Sequence, residues 1–178
     1  GLSTFPASLH PFTGAELVRN YVLSLGQRPL MAHDADWNLV CLLCTDVPTF
    51  ENGLAREIDL GDGRKGVAIT VQIRPGAAWG DGTPVTAKDM AFTNAVKKHP
   101  GSGVVSGEFD RRILKVEEKD AKTFVLHIDR LTFDYNNLAG YRLLPSHIEA
   151  KAFATPGEYA KRSAYETAPT ERALWAGP

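Results

Sequence analysis

The sequence predicts an α/β fold, α+β in the stretch present, built from a mostly antiparallel sheet of hairpins flanked by helices. Two observations predict the hairpins: residues 67–74 alternate apolar and polar after a short strand candidate, and residues 113–116 are followed by a similar segment at 123–128. Alternation is the period of a half-buried strand. The third observation is apolar spacing of three and four residues after Gly14 and again after Thr86, which is typical of amphipathic helices.

Composition narrows the classes of protein that the chain can represent. The 178 residues carry 20 basic and 21 acidic side chains, a formal net charge of -1, which gives no reason to expect nucleic acid or an anionic membrane as a partner. The longest apolar run, residues 39–44, is far shorter than the ~20 residues that a membrane span needs. We therefore expect a soluble domain with its own core.

The first 13 residues, rich in Pro, Ser, Thr and Phe, are expected to be irregular. Helical spacing then links Leu17, Val18, Tyr21, Val22 and Leu25. Gly26, with Pro29 beyond it, predicts the end of this first helix. Residues 46–53 contain Pro48 and Gly53 and predict a loop.

The turn of the first hairpin holds Gly61, Gly63 and Gly66 at the spacing of a dinucleotide-binding fingerprint. That fingerprint needs its last glycine to open a helix whose N-terminus holds the pyrophosphate. The residues after Gly66 alternate as a strand instead. A hairpin turn is therefore favoured over a nucleotide site.

The second predicted helix begins after Thr86, an N-cap with Asp89 three residues on. Trp79 lies before it between two glycine-containing turns. An aromatic there can cover a ligand, but we favour one that pins the turn onto the core. The residues expected to face inward are Met90, Phe92, Ala95 and Val96. The tail from Pro145 predicts short helices.

Cys41 and Cys44 have a spacing that zinc and redox sites use. A zinc site needs a second ligand pair, which the sequence lacks, and a redox motif belongs in an active-site turn, not an apolar run. Residues three apart on an extended strand point to opposite faces. We therefore expect two free, buried thiols.

Chemistry-bearing motifs are otherwise missing from the sequence. No two histidines have metal-site spacing, and there is no nucleophile elbow or phosphate loop. Acids cluster over residues 108–120, but a solvated hairpin explains them. We therefore expect no enzyme activity, cofactor or metal site.

The most specific signal is the order of residues 69–76 and 79–92: a strand ending in Arg74-Pro75-Gly76, an aromatic, a Gly-Asp-Gly-Thr-Pro turn, and Thr86-Ala-Lys-Asp opening a helix. This order resembles the family 5 extracellular solute-binding proteins, the peptide-, dipeptide- and nickel-binding receptors of bacterial ABC importers. Residues 8–11, 144–148 and 175–178 resemble flanking motifs of that family, in the same order.

The resemblance implies a type II periplasmic-binding-protein-like fold, in which two lobes close on a ligand about a hinge. Family members are far longer. We therefore expect a processed or trimmed N-terminal fragment that lacks the second lobe and binds ligand weakly or not at all. Residues 1–45 would contribute to lobe I, and residues 46–178 would form its peripheral subdomain and lead back into the lobe I core.

By position, the resemblance implies five residues that touch ligand: Arg19, Asn20, Phe109, Tyr141 and Arg142. Arg142 can pair with a carboxylate in a bidentate manner; a surface arginine that packs its stem is the alternative. Residues 26–29 replace a commoner Tyr-Glu-Gly/Pro stretch near the ligand cleft. Ligand identity therefore does not transfer from the family.

We therefore expect the substrate-binding component of an ABC importer, a monomer without cofactor or nucleic-acid partner. It would capture oligopeptides or a similar small solute for the membrane permease. Its expected location is periplasmic or extracellular, with or without a lipid anchor. The alternatives are a nickel-chelate, sugar or opine receptor of the same family, the ligand-sensing domain of a transcription regulator, and a carboxylate-dependent hydrolase.

Overall fold

The computed structural model describes residues 4, 6–14, 17–61 and 63–177. Its elements are, in order, α1 (Leu17–Gly26), β1 (Met31–His33), β2 (Leu39–Cys41), β3 (Ala55–Asp59), β4 (Lys65–Gln72), β5 (Ala78–Trp79), α2 (Ala87–Lys98), α3 (Glu108–Arg112), β6 (Ile113–Glu118), β7 (Thr123–Ile128), α4 (Ser146–Phe153), α5 (Tyr159–Arg162), α6 (Ala164–Thr167) and β8 (Ala176–Gly177). Short 3-10 turns lie at Pro156–Glu158 and Arg172–Leu174. Pro178, part of the closing motif, lies outside the described residues.

The two predicted hairpins form one four-stranded antiparallel sheet in the order β3-β4-β7-β6. Its central pair, β4 and β7, is in register from Val67 opposite Ile128 to Gln72 opposite Thr123. Two small two-stranded sheets, β1-β2 and β5-β8, lie outside it. The mixed helix and antiparallel-sheet architecture predicted from the sequence is therefore confirmed.

The glycine-rich segment is the turn of the β3-β4 hairpin. Gly61 and Gly63 both have a φ of +78°, a backbone conformation that glycine adopts without steric cost. Gly66 lies inside β4 and opens no helix. The nucleotide-binding alternative therefore lacks the helix N-terminus it needs.

Two apolar clusters hold these elements together. The first joins the inner face of β4, with Val67, Ile69 and Val71, to Leu30 and Leu43 of the N-terminal segment. The second is built by the helical tail and the end of α2, and its buried members are Val96, Leu144, Ala152, Tyr159, Tyr165 and Leu174. Each large apolar side chain buried in this way contributes about 1.5–3 kcal/mol.

Helix α1 lies where the spacing predicts it, but its apolar stripe faces outward. Leu17, Tyr21 and Leu25 are 65%, 59% and 89% exposed, whereas Arg19 and Leu23 are buried. Periodicity identifies an apolar face but not whether another part of the structure covers it. A smaller difference occurs in α2, where Ala95 is exposed and Thr93 is buried.

Trp79 pins its turn to the core, as favoured from the sequence. Its side chain is only 2% exposed, and its indole N–H donates to Asp89 Oδ2 at 3.2 Å. The same Asp89 oxygen accepts the backbone N–H of Thr86 at 2.9 Å, which fixes the start of α2. One carboxylate thus ties the turn to the helix.

The prediction of two free thiols is wrong: Cys41 and Cys44 form a disulfide, with their Cα atoms 5.0 Å apart. Strand β2 ends at Cys41, so the alternation that separates side chains on a strand does not extend to Cys44. The chain turns instead, and the N–H groups of Leu42 and Leu43 both donate to the Leu30 carbonyl, at 2.9 and 3.1 Å. This turn brings the two sulfurs together.

Candidate functional site

A groove of about 750 Å³ opens beside the C-terminal end of α1. Its walls come from the end of α1, the segment leading into β1, the turn after β2, the segment at 139–142, and β8. The lining residues are Ser24, Leu25, Gly26, Arg28, Pro29, Ala32, His33, Leu42, Ala139, Gly140, Arg142, Ala176 and Gly177. A concave site of this size accommodates a small solute or a few residues of a peptide.

The turn after α1 is fixed by close packing and by a buried amide. A Cβ at Gly26 would lie 2.8 Å from Cε3 of Trp175, so only glycine fits there without movement. The buried Gln27 side chain donates to the Leu143 carbonyl at 3.1 Å and to the Tyr165 hydroxyl at 2.8 Å. These contacts direct the following residue, Arg28, into the groove wall.

Arg142 is the most unusual lining residue, because its charge is buried without an acidic partner. Its Nη atoms make two long contacts, 3.4 Å to Ser24 Oγ and 3.5 Å to the Gly140 carbonyl, and its buried Nε has no hydrogen-bond partner. Within the described part of the chain, no carboxylate lies within ion-pair distance of it. Burial, and then the charge of Arg19, lower the pKa of Arg142. A buried charge without a partner costs free energy, which a bound anion would offset.

The described lining of the groove has one sign of charge. It contains the cations Arg28 and Arg142 and no Asp or Glu. A concave surface lined by one sign focuses the field and raises the local concentration of oppositely charged solutes. The charge of the lining therefore favours anionic over cationic solutes.

The open edge of β1 presents backbone groups to the groove. Inside the hairpin, Asp34 N–H donates to the Asn38 carbonyl at 3.0 Å; on the opposite edge, Gly140 N–H donates to the Met31 carbonyl at 2.9 Å. Successive residues of a strand direct their polar groups to alternate edges. The N–H and C=O of His33 therefore point to the same edge of β1 as those of Met31. Gly140 covers this edge at Met31, and His33 lies beyond the covered part.

Two of the five predicted ligand residues lie elsewhere on α1. Arg19 is buried, and its guanidinium donates to the carbonyls of Thr13 and Gly14. Asn20 is exposed, and its carbonyl accepts a hydrogen bond from Ser24 Oγ at 2.7 Å. Arg19 thus orders the segment before the helix, and neither residue lines the groove.

Tyr141 is buried, and the half-buried Phe109 packs against it. Their rings meet edge to face at 6.2 Å, and the Nζ of Lys97 lies 4.6 Å from the centre of the Tyr141 ring. Burial, and then the Asp110 carboxylate, raise the pKa of Tyr141 well above its usual value. The structure thus places Arg142 in the groove and the other four residues outside it; ligand contact by any of the five stays a prediction.

Sequence reasoning did not single out Ser24, His33 or the β8 residues as part of a site. These positions have no distinctive motif, and they come together only through tertiary contacts. A partial signal came from residues 26–29, which the resemblance placed near the ligand cleft. Three of these, Gly26, Arg28 and Pro29, do line the groove.

Among the described residues, every helix is too short or too polar to span a bilayer. The same part of the chain contains no group of three or more His, Cys, Asp or Glu side chains that could hold a metal ion.

The fold is that of the type II periplasmic binding proteins. Residues 50–178 match the family described as bacterial extracellular solute-binding proteins, family 5 (Middle). The chain belongs to that family. Its family and fold are those of binding proteins. No curated protein sequence matches the chain.

Solved structures share the fold over nearly the whole chain. An oligopeptide-binding protein from Thermus thermophilus, complexed with a pentapeptide, is 26% identical with a TM-score of 0.74 over 96% of this chain and 31% of its own. The oligopeptide-binding protein AppA of Bacillus subtilis, with a nonapeptide, is 18% identical with a TM-score of 0.69 over 90% and 30%. NikZ of Campylobacter jejuni, with Ni(L-His), is 17% identical with a TM-score of 0.66 over 93% and 29%. The chain spans about a third of the length of these proteins.

Proposed function

We propose that the chain forms one wall of the ligand site of an ABC importer's substrate-binding component. Its ligand would be an oligopeptide or a similar small solute with a carboxylate, which the receptor delivers to the membrane permease. The observation that carries this proposal is Arg142, a buried guanidinium without an acidic partner in the described structure, on the wall of a groove. A carboxylate can accept two parallel N–H bonds from a guanidinium, and these charge-assisted bonds are the strong ones.

Peptide is favoured over other anions because of the open edge of β1. An extended peptide adds to a strand edge through main-chain hydrogen bonds, which do not depend on the peptide's sequence. The outward N–H and C=O of His33 supply such an edge on the groove wall, where Ala32 and His33 are both lining residues. A peptide carboxylate at Arg142 and its backbone along β1 would fit one groove.

We propose that residues 1–45 contribute to lobe I and that residues 46–178 form its peripheral subdomain and lead back into the lobe I core. The solved relatives are about three times as long. A ligand enclosed between two lobes receives only part of its contacts from one lobe, so we expect weak binding here, with a Kd in the millimolar range.

The location proposed for the protein is periplasmic or extracellular, as a monomer, with a lipid anchor as one means of holding it at the membrane. The family description names extracellular proteins. The Cys41–Cys44 disulfide supports this, because disulfides persist in oxidising compartments. Both findings favour a receptor over the sensing domain of a cytosolic regulator.

Nuclear magnetic resonance titration tests the ligand class even where binding is weak. The probe is an equimolar pool of pentapeptides, used once as free acids and once as C-terminal amides. We expect the free acids to shift the Arg142 Nε–H and the amides of Ala32 and His33. The amidated pool should shift the β1 amides less and leave Arg142 unaffected, because it lacks the carboxylate.

The matched control is Arg28→Gln, which removes the exposed cation of the groove and keeps the buried one. We expect this variant to retain the difference between free acids and amides, whereas Arg142→Gln loses it. Equal responses to the two pools in the unaltered protein would argue against a carboxylate site. Shifts confined to residues outside the groove would argue against the groove itself.

A further inference from the structure

The Cys41–Cys44 disulfide closes a four-residue turn that forms part of the groove wall. Leu42, between the two cysteines, is a lining residue. We propose that the disulfide is a positioning element of the ligand site, which holds Leu42 in its place on the groove wall through the turn that Leu30 anchors. This inference rests on the proposed function of the groove.

The turn is clamped from two sides. On one side, the N–H groups of Leu42 and Leu43 converge on the Leu30 carbonyl. On the other, the Arg74 guanidinium donates to the Cys44 carbonyl at 2.9 Å and to the Cys41 carbonyl at 3.1 Å. One arginine thus spans both ends of the turn, and the disulfide fixes the distance between those ends.

The same turn is connected to the segment that carries Arg142. Leu30 accepts the two N–H bonds of the turn through its carbonyl, and its own N–H donates to the Tyr141 carbonyl at 2.8 Å. Tyr141 directly precedes Arg142. A displacement of the turn therefore acts on the wall at Leu42 directly and on the Arg142 backbone through Leu30.

The disulfide adds a constraint that the hydrogen bonds alone do not supply. Cys44 is fully buried, whereas Cys41 is half-buried and sits at the end of a three-residue strand. Once the bond is open, this three-residue strand is held by its backbone hydrogen bonds, by the packing of Leu39 and Cys41 against the core, and by Arg74, which is exposed. A short, partly buried segment of this kind opens locally at a lower cost in free energy than the central strands of the sheet.

The bond can be opened in the folded protein with a dithiol such as dithiothreitol. A reductant thiolate attacks the half-buried Cys41 sulfur, and Cys44 leaves as a thiolate that takes up a proton. The second thiol of the reductant then displaces Cys41 and leaves as a cyclic disulfide. The protein gains two electrons and two protons, and no other covalent bond changes.

The experiment compares the oxidised protein, the reduced protein and a Cys41→Ala, Cys44→Ala double variant. Hydrogen exchange at the Leu42 and Leu43 amides reports the turn, and titration with the free-acid pentapeptide pool reports the groove. We expect faster exchange at both amides and about fivefold weaker binding in the two open forms. Ile128→Val, in the four-stranded sheet, is the control that lowers stability without touching the turn. It should leave the affinity unchanged.

Each result decides the proposal. Faster exchange with weaker binding supports it, whereas equal binding of oxidised and reduced protein overturns it and leaves the proposed function intact. If no form binds the peptide pool, the proposed function fails, and only amide hydrogen exchange then tests the role of the disulfide. In that case, faster exchange on reduction that includes the amides of Ala32 and His33 supports a disulfide that positions the groove wall. Unchanged exchange overturns that role.

Discussion

The Nζ of Lys97 lies 2.7 Å from Oδ2 of Asp110 in the interior, where the two side chains are only 8% and 3% exposed. The rings of Phe12 and Tyr141 cover the ammonium, with centres at 4.2 and 4.6 Å. The Asp110 oxygen also accepts the Gly107 N–H at 2.7 Å. This pair joins the end of α2 to α3, beside the segment that leads to the groove.

We expect Asp110→Ala to lower the free energy of unfolding by about 3 kcal/mol, because it leaves the Lys97 charge buried without its partner. Urea denaturation measures this change. The matched control is Glu108→Ala, which removes the exposed pair between Glu108 and Arg130, 3.1 Å apart. An exposed pair is worth at most about 1 kcal/mol. Similar losses in the two variants would show that the buried pair does not stabilise the fold.

A buried relay holds the N-terminal segment to the helical tail. The Phe12 N–H donates to Nδ1 of His10 at 3.1 Å, so Nε2 carries the proton and donates to the Tyr159 hydroxyl at 3.0 Å. Tyr159 in turn donates to Glu149 at 2.6 Å. Burial, and then the charge of Arg19, lower the pKa of His10 to about 3. His10 is therefore neutral in the folded protein.

The lowered pKa of His10 predicts that the folded protein loses stability in mild acid. Between pH 6.5 and about 3 the unfolded chain protonates His10 and the folded chain does not, so the free energy of unfolding falls as the pH falls. At pH 5 the expected loss from this residue is on the order of 2 kcal/mol. Urea denaturation at pH 7.5 and pH 5 measures it.

Carboxylates also titrate over this range, so the comparison needs a variant. His10→Gln keeps a donor towards Tyr159 and removes the titration. We expect it to be less stable than the unaltered protein at pH 7.5 and to lose less stability on going to pH 5. If both proteins lose the same amount, His10 is not the group responsible.

The disulfide predicts a modest loss of stability on reduction. In the chain-entropy account, closing a loop of four residues stabilises the fold by about 2 kcal/mol, less than a long loop would give. For a chain of this size, that corresponds to a fall of about 4–8 °C in the melting temperature. Calorimetry with and without dithiothreitol measures it. A fall of 15 °C or more would show that the bond does more than close a small turn.

Much of the fold could be predicted because its signals are local. Alternation along β4 and β7, glycines in the hairpin turn and the cap at Thr86 each depend on neighbouring residues. What could not be predicted depends on distant parts of the chain. The outward stripe of Leu17 and Leu25 depends on what packs beside α1, and the disulfide depends on a turn that the Leu30 carbonyl organises.

The site was harder to predict for the same reason. Arg142 was singled out, yet the missing acidic partner that makes it unusual is visible only in three dimensions. His33 and Gly140 line the same groove because the Gly140 N–H donates to the Met31 carbonyl on the edge of β1. That hydrogen bond joins residues more than a hundred positions apart. No spacing in the sequence encodes such an arrangement.

The position of Arg142 predicts a trade-off between stability and binding. Replacing a buried charge that lacks a partner by an apolar side chain of similar length removes an electrostatic cost, so Arg142→Met should raise the free energy of unfolding by about 1 kcal/mol. The same variant should lose the response to free-acid pentapeptides. Arg28→Met, at an exposed position, should change stability by no more than about 0.5 kcal/mol. Urea denaturation and the peptide titration measure the two effects on the same samples. If Arg142→Met is instead less stable than the unaltered protein, the aliphatic stem of Arg142 stabilises the fold by packing. The arginine is then a structural residue, and its charge is not held unpaired for a ligand.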